Sequence, residues 1–205
     1  GFARDVAAWC ERTGNGLLGV ERQNGHIVAT LRKGQVVPGA LRPDEDRTRP
    51  AAKTMVVFSG DLDRALASFV IANGALAMGQ QVTMFFTFWG LNVLRREDPP
   101  RVPKNVVERV FGRMLPKGAG RLAMSKLHMG GLGTWMMKRV MDAKHIDQLP
   151  VLMQSAIDNG VRLVACQMSM DMMGIKPEEL IDGVEVGGVA TMINETDRSN
   201  AALFI

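Results

Sequence analysis

The residue in this sequence with the clearest capacity for chemistry is Cys166, within the stretch Val161–Gly174, VRLVACQMSMDMMG. The spacing predicts a short buried strand from Val161 to Ala165, then a helix of about two turns. Cys166 falls at the junction between them. The first free N–H groups of a helix point back toward such a residue, and the helix dipole there favours negative charge. A thiolate is easier to form in that setting, and the thiolate is the reactive form of cysteine. The competing reading is an inert, buried cysteine, since free cysteine is among the most buried residue types. The other cysteine, Cys10, lies beside Trp9 in mid-helix and is read as packing.

Two further stretches should reach the same end of a parallel sheet as Cys166. Ser59-Gly60-Asp61 follows one predicted strand, and Thr87-Phe88-Trp89-Gly90 follows the next. Ligands of open α/β sheets bind beyond the carboxyl ends of the strands. Together with Gln167 and Met168, which follow the cysteine, these residues offer a thiol, hydroxyls and an aromatic wall. They offer no carboxylate pair, no Ser-His-Asp set and no CxxC. The histidines at 26, 128 and 145 share no ligand spacing, so no metal is expected. The run Met168, Met170, Met172 and Met173 has ligands that suit Cu(I). The spacing of Met168, Met172 and Ile175 instead predicts a core stripe. The glycine-rich stretch Lys117–Gly133 matches neither the Walker pattern nor the dinucleotide fingerprint, and no cofactor is expected. It is predicted to be a mobile loop near the site. His128 is its one titratable candidate, although a lone histidine in such a loop is more often structural or merely exposed.

The elements that must position these groups follow from the order of the chain. Residues 2–14 read as an amphipathic helix, and the strands Gly16–Arg22 and His26–Arg32 as a hairpin turning at Asn24-Gly25. Residues 35–52 form a proline- and charge-rich linker. From Lys53 onward, strands near Thr54–Phe58, Gln81–Phe88, Val161–Ala165, Val184–Val186 and Ala201–Ile205 alternate with helices. Helical spacing extends over Asn105–Leu115, Thr134–Lys144 and Asp147–Asn159. The pattern is that of an α/β fold, an open parallel sheet with helices on both faces.

Composition bounds the function. Two cysteines in 205 residues give no disulfide framework, which suits a reducing, cytoplasmic setting. The apolar region Leu66–Leu94 is broken by Asn73, Gly74, Gly79, Gln80 and Gln81, so no transmembrane segment is expected. The first residue is Gly1, which suggests a fragment or a processed piece. Arg95–Lys144 carries twelve Lys/Arg against four Asp/Glu, a net of +8, whereas Ile146–Ile205 carries three against nine, a net of −6. Such a basic face fits an acidic partner, a phosphate-bearing ligand or peripheral contact with anionic lipid; a solvated helical surface is the plainer reading. No aromatics interleave the basic residues, so nucleic acid is not an expected partner.

The stretches MVVFSGDLDRALASFVIANGALAMG, VTMFFTFWGLNVLRR, MGGLGTWMMKRVM and VRLVACQMSMDMMGIKPEELIDGVEVGGVATMI carry a resemblance. From Lys53 to the end the chain resembles the DsrE/DsrF-like sulfur-relay family, in its larger DsrE-like variety. The opening GFARDVAAWCERTGNGLLGVE resembles the second half of a TusA-like (SirA-like) sulfur-carrier domain, whose Cys-Pro-x-Pro motif is not in this chain. The implied organisation is a partial α+β TusA-like segment at 1–34, a linker at 35–52 and a DsrE-like domain at 53–205. The resemblance implies a flavodoxin-like fold and cytoplasmic sulfur relay. It implies a cysteine, matching Cys166, that holds sulfane sulfur as a persulfide and hands it to an acceptor thiol. Implied partners are sulfur carrier or donor proteins with reactive thiols, with a homo-oligomer left open. Relatives fused behind flavin-dependent disulfide reductases keep an alternative open, a non-catalytic module that docks a partner or a membrane within a larger polypeptide.

Overall fold

Runs such as AKTMVV, QVTMFF and RLVAC are too short for helices and apolar on successive residues, which suits strands covered on both faces. In a computed structural model of the chain, which describes residues 6–7, 10, 15–23, 26–34 and 51–205, they become the centre of a parallel sheet. Its strands are β3 (Ala52–Val57), β4 (Gln81–Phe86), β5 (Arg162–Cys166), β6 (Glu185–Gly187) and β7 (Ala201–Phe204), all paired in parallel. The spatial order is β6-β5-β4-β3-β7. The chain therefore steps outward from β3 to β6, then returns to lie on the far side of β3. The expected α/β fold is observed. Upstream, β1 (Gly16–Gln23) and β2 (His26–Arg32) form an antiparallel hairpin with a bulge between Leu17 and Gly19. Of the N-terminal helix only Val6, Ala7 and Cys10 are described; its remainder, the Asn24-Gly25 turn and nearly all of the linker lie outside the described residues.

The outward and return steps put helices on opposite faces, as right-handed crossovers require. On one face Met55, Val57, Met84, Phe86, Leu163 and Ala165 join the main core. The helix α1 (Leu62–Ala77) packs Leu62, Ala65, Phe69 and Ala72 into it, and Asn73 Nδ2 donates to the Leu152 carbonyl of a later helix at 3.0 Å. On the other face Phe85, Val164 and Cys166 form a small separate cluster, closed by Met192. Met192 belongs to α6 (Val189–Arg198), a helix without a buried residue. Among the described residues, one face of the sheet is thickly covered and the other thinly.

Between β4 and β5 the chain makes a long excursion. It contains a 3₁₀ turn (Phe88–Leu94), α2 (Val106–Met114), α3 (Leu132–Ala143) and α4 (Leu149–Asp158), with short turns between them. Helix α5 (Gln167–Met173) follows β5 directly. The excursion is anchored by Arg95, which is fully buried. Its guanidinium donates to the carbonyls of Gly112 and Pro116, each at 3.3 Å, and lies 3.5 Å from a Glu179 carboxylate oxygen. Lys104 Nζ reaches the second Glu179 oxygen at 2.5 Å, and that oxygen also accepts the Lys176 N–H at 2.9 Å. Burial pushes the Arg95 pKa down, while the Glu179 charge pulls it back up. Main-chain bonds run alongside, Ile181 N–H to Leu94 O and Arg96 N–H to Glu179 O.

Removing one member of such a cluster strands the others without compensation. Glu179→Ala should therefore cost about 3–5 kcal/mol of stability, read as a lower urea midpoint by circular dichroism. A loss below about 1 kcal/mol, the range of exposed pairs, would mean that water replaces the carboxylate.

Candidate functional site

Cys166 ends β5 and is the N-cap residue of α5, with φ −70° and ψ 114°. In the sheet it pairs with Gly187 at the end of β6. A side chain at Gly187 would come within 2.9 Å of Val164 Cγ1 and 3.3 Å of Thr191, so this glycine lets α6 pack closely beside the cysteine. The Cys166 side chain is only 2% exposed, enclosed by Phe85, Val164 and Met192. On the β4 side, Thr87 Oγ1 and Ser169 Oγ lie 2.8 Å apart, which ties the start of α5 to the end of β4. Gln167 turns along its own helix and donates to Asp171 at 3.0 Å.

Met168 stands outward and is 51% exposed. Met172 is 65% exposed. The predicted core stripe of Met168, Met172 and Ile175 is thus corrected: the buried set is Met170, Met173 and Ile175. The reason is the direction in which α5 leaves the sheet, which turns its other ridge inward.

Ser59, Gly60, Asp61 and Trp89 do come together. With Arg64 and Asn92 they line a cleft of about 310 Å³ beyond the end of β3. Asp61 precedes α1, but its carboxylate does not cap the helix. It accepts the Ser59 hydroxyl at 2.8 Å, while the Asp61 N–H donates back to Ser59 Oγ at 3.1 Å. Gly60 and Gly90 serve close backbone approach: an added Cβ would lie 2.6 Å from the Trp89 carbonyl oxygen at Gly60, and 2.1 Å from the Val57 carbonyl oxygen at Gly90. Phe88 has φ 46°, a left-handed conformation costly for a non-glycine residue. It is held by the Gly90 N–H, which donates to Phe58 O at 2.8 Å, and by ring contact with Phe58.

Cys166 does not line this cleft. It sits two strands from β3, about 10 Å by the usual strand spacing. His128 is exposed and joins neither place; its Nδ1 lies 3.3 Å from Thr134 Oγ1. Sequence reasoning missed Asn92, whose buried Oδ1 has no hydrogen-bond partner among the described residues, and missed Met192 and Gly187 beside the thiol. The available signal for the last two was Gly187-Gly188 opening a helix directly after a strand. Among the described residues no group of three or more His, Cys, Asp or Glu is placed to hold a metal, and no helix is long and apolar enough to cross a membrane.

Residues 50–204 match the DsrE/DsrF/DrsH-like family. The chain belongs to this family. Among curated relatives, the uncharacterised YrkE protein of Bacillus subtilis is 43% identical over 152 residues, covering 74% of this chain and 95% of that protein. The sulfur carrier protein DsrE2 of Allochromatium vinosum is 31% identical over 155 residues, covering 74% of this chain and 96% of its own length. Among solved structures, the ychN protein from E. coli covers 75% of this chain and 99% of its own at 12% identity, with a TM-score of 0.44.

In this DsrE-like domain Met192, partly buried, packs over the small cluster that holds Cys166. In a Cys10→Ser background, Met192→Ala should raise the rate at which Cys166 reacts with an aromatic disulfide reagent by several-fold, with the urea midpoint little changed. An unchanged rate would place the route to the thiol elsewhere.

Proposed function

We propose that this chain is a sulfur relay protein in which Cys166 carries sulfane sulfur as a persulfide and passes it to an acceptor thiol. The Cys166 thiolate attacks the terminal sulfur of a donor persulfide. One S–S bond forms on Cys166, the donor S–S bond breaks, and the donor leaves as a thiolate. An acceptor thiolate then attacks the outer sulfur, and Cys166 departs as the thiolate. Each step exchanges one S–S bond for another, so no external oxidant or reductant is consumed. The observation that carries this reading is the position of Cys166 at the β5–α5 junction, beneath the thin layer formed by one helix. Membership of a family whose relatives include a protein named as a sulfur carrier supports it.

Partners of this chemistry are carrier or donor proteins that present a reactive thiol. Gln167 and Met168, at the start of α5, form the lip that such a thiol would meet first. The cleft at Ser59, Gly60, Asp61 and Trp89 is the place for the rest of an incoming donor, with Gly90 in the turn behind it and Thr87 tied to the start of α5. The division into a partial TusA-like segment at 1–34, a linker at 35–52 and the DsrE-like domain at 53–205 belongs to the same proposal. In it, the N-terminal segment is part of a carrier domain linked to the DsrE-like domain.

Incubation of the full chain with inorganic polysulfide should add the mass of one sulfur atom, removable by dithiothreitol, in an intact-mass spectrum. Cys10→Ser should load as the unaltered chain does, and Cys166→Ser should not load. Equal loading of the two single variants would overturn the assignment.

A further inference from the structure

The excursion between β4 and β5 presents two helices with an unusual outer face. In α3, Leu132, Met136 and Val140 stand at i, i+4 and i+8, one ridge of the helix, and all three are exposed. Met136, in the middle, is 54% exposed. The opposite side of the same helix faces the protein: Met141 is buried, and Lys138 Nζ donates to the Gly120 carbonyl at 2.8 Å. In α2, Val106, Val110 and Met114 repeat the i, i+4, i+8 spacing and are likewise exposed. The turn before α3 extends the apolar surface with Leu127 and Met129, the latter 70% exposed. Both hold positive φ, 56° and 42°, between Ser125, whose hydroxyl and N–H bond to Asp63, and the glycines Gly130 and Gly131. Exposed apolar rows of this extent mark a surface that meets something.

The charge around these ridges says what. Arg109 and Arg113 flank the α2 ridge; Lys126, Arg139 and Lys144 flank the α3 ridge, with Arg139 lying over the Trp135 ring at 5.3 Å. Two of the four acidic residues of the segment are engaged within the protein, Glu108 by Lys176 at 2.9 Å and Asp142 by Gln148 at 2.8 Å. An apolar ridge bordered by cations, with an exposed tryptophan at its margin, is the pattern of a helix that lies in the headgroup region of a bilayer. Protein interfaces deplete lysine, whereas Lys126 and Lys144 both stand beside these ridges.

We infer that the outer ridges of α2 and α3 seat this protein on an anionic lipid surface, Met136 and Val140 entering the acyl boundary and the flanking Lys and Arg meeting lipid phosphates. This inference is independent of the chemistry at Cys166.

The test is co-sedimentation of the full chain with vesicles of phosphatidylcholine, alone or mixed with phosphatidylglycerol. The protein should pellet with the mixed vesicles, and far less with neutral ones. Raised salt should release it. Met136→Glu with Val140→Glu, on a solvent-facing ridge, should lower the partition coefficient at least tenfold with an unchanged circular dichroism spectrum. Lys126→Glu with Arg139→Glu should weaken binding and flatten its salt dependence. Cys166→Ser should bind as the unaltered chain does, which separates this surface from the relay reading. Failure to pellet with anionic vesicles overturns the inference, as does wild-type binding by the Met136→Glu, Val140→Glu variant. So does a self-associated species in sedimentation velocity that the same variant dissociates, since a second copy would then cover the ridge.

Discussion

A guanidinium taken out of water must be met by acceptors wherever it comes to rest. Arg95 imposes that requirement on the segment that follows it. Its partners come from α2 (Gly112), from the turn after α2 (Pro116) and from Glu179, which lies beyond β5 in the chain. Glu179 in turn fixes Lys104. The path of the excursion past the sheet is thereby set at three points by one cluster. Its effects reach the site: Leu115 and Pro116, held beside Arg95, form one wall of the cleft whose other walls carry Ser59 and Trp89. The same cluster fixes the inner side of α2, and so which of its ridges faces outward.

The local structure was legible in the sequence where it depended on neighbours in the chain. The apolar runs of β3, β4 and β5 read directly as covered strands, and the junction at Cys166 followed from a strand running into a helical spacing. Features set by distant partners were not legible. Arg95 reads in the sequence as one more cation in a basic stretch, because Glu179 is far along the chain. The side of β3 on which β7 joins is decided by the return crossover through α6. Ser59, Trp89 and Cys166 looked like one constellation because all follow strands; the order of those strands divides them into a cleft and a separate thiol. The methionines of α5 have two usable ridges, and only the angle at which the helix leaves β5 decides between them.

Two kinds of surface thus coexist on one small domain. The carboxyl end of the sheet is built with tight tolerances, as at Gly60 and Gly90, where backbone meets backbone. The outer ridges of the excursion are built with none, since their side chains touch solvent. Because the two kinds of surface share few side chains, they can vary independently.

The unequal cover of the two sheet faces carries a consequence for how the sequence can drift. Substitutions among Met55, Phe69, Phe86 and Leu163 disturb a large shared core, and selection sees them as loss of the folded protein. Substitutions at Phe85, Val164 or Met192 disturb a cluster of four side chains that includes the sulfur, and leave most of the core intact. That thin layer is therefore where the reactivity of the thiol can be retuned over generations while the fold persists.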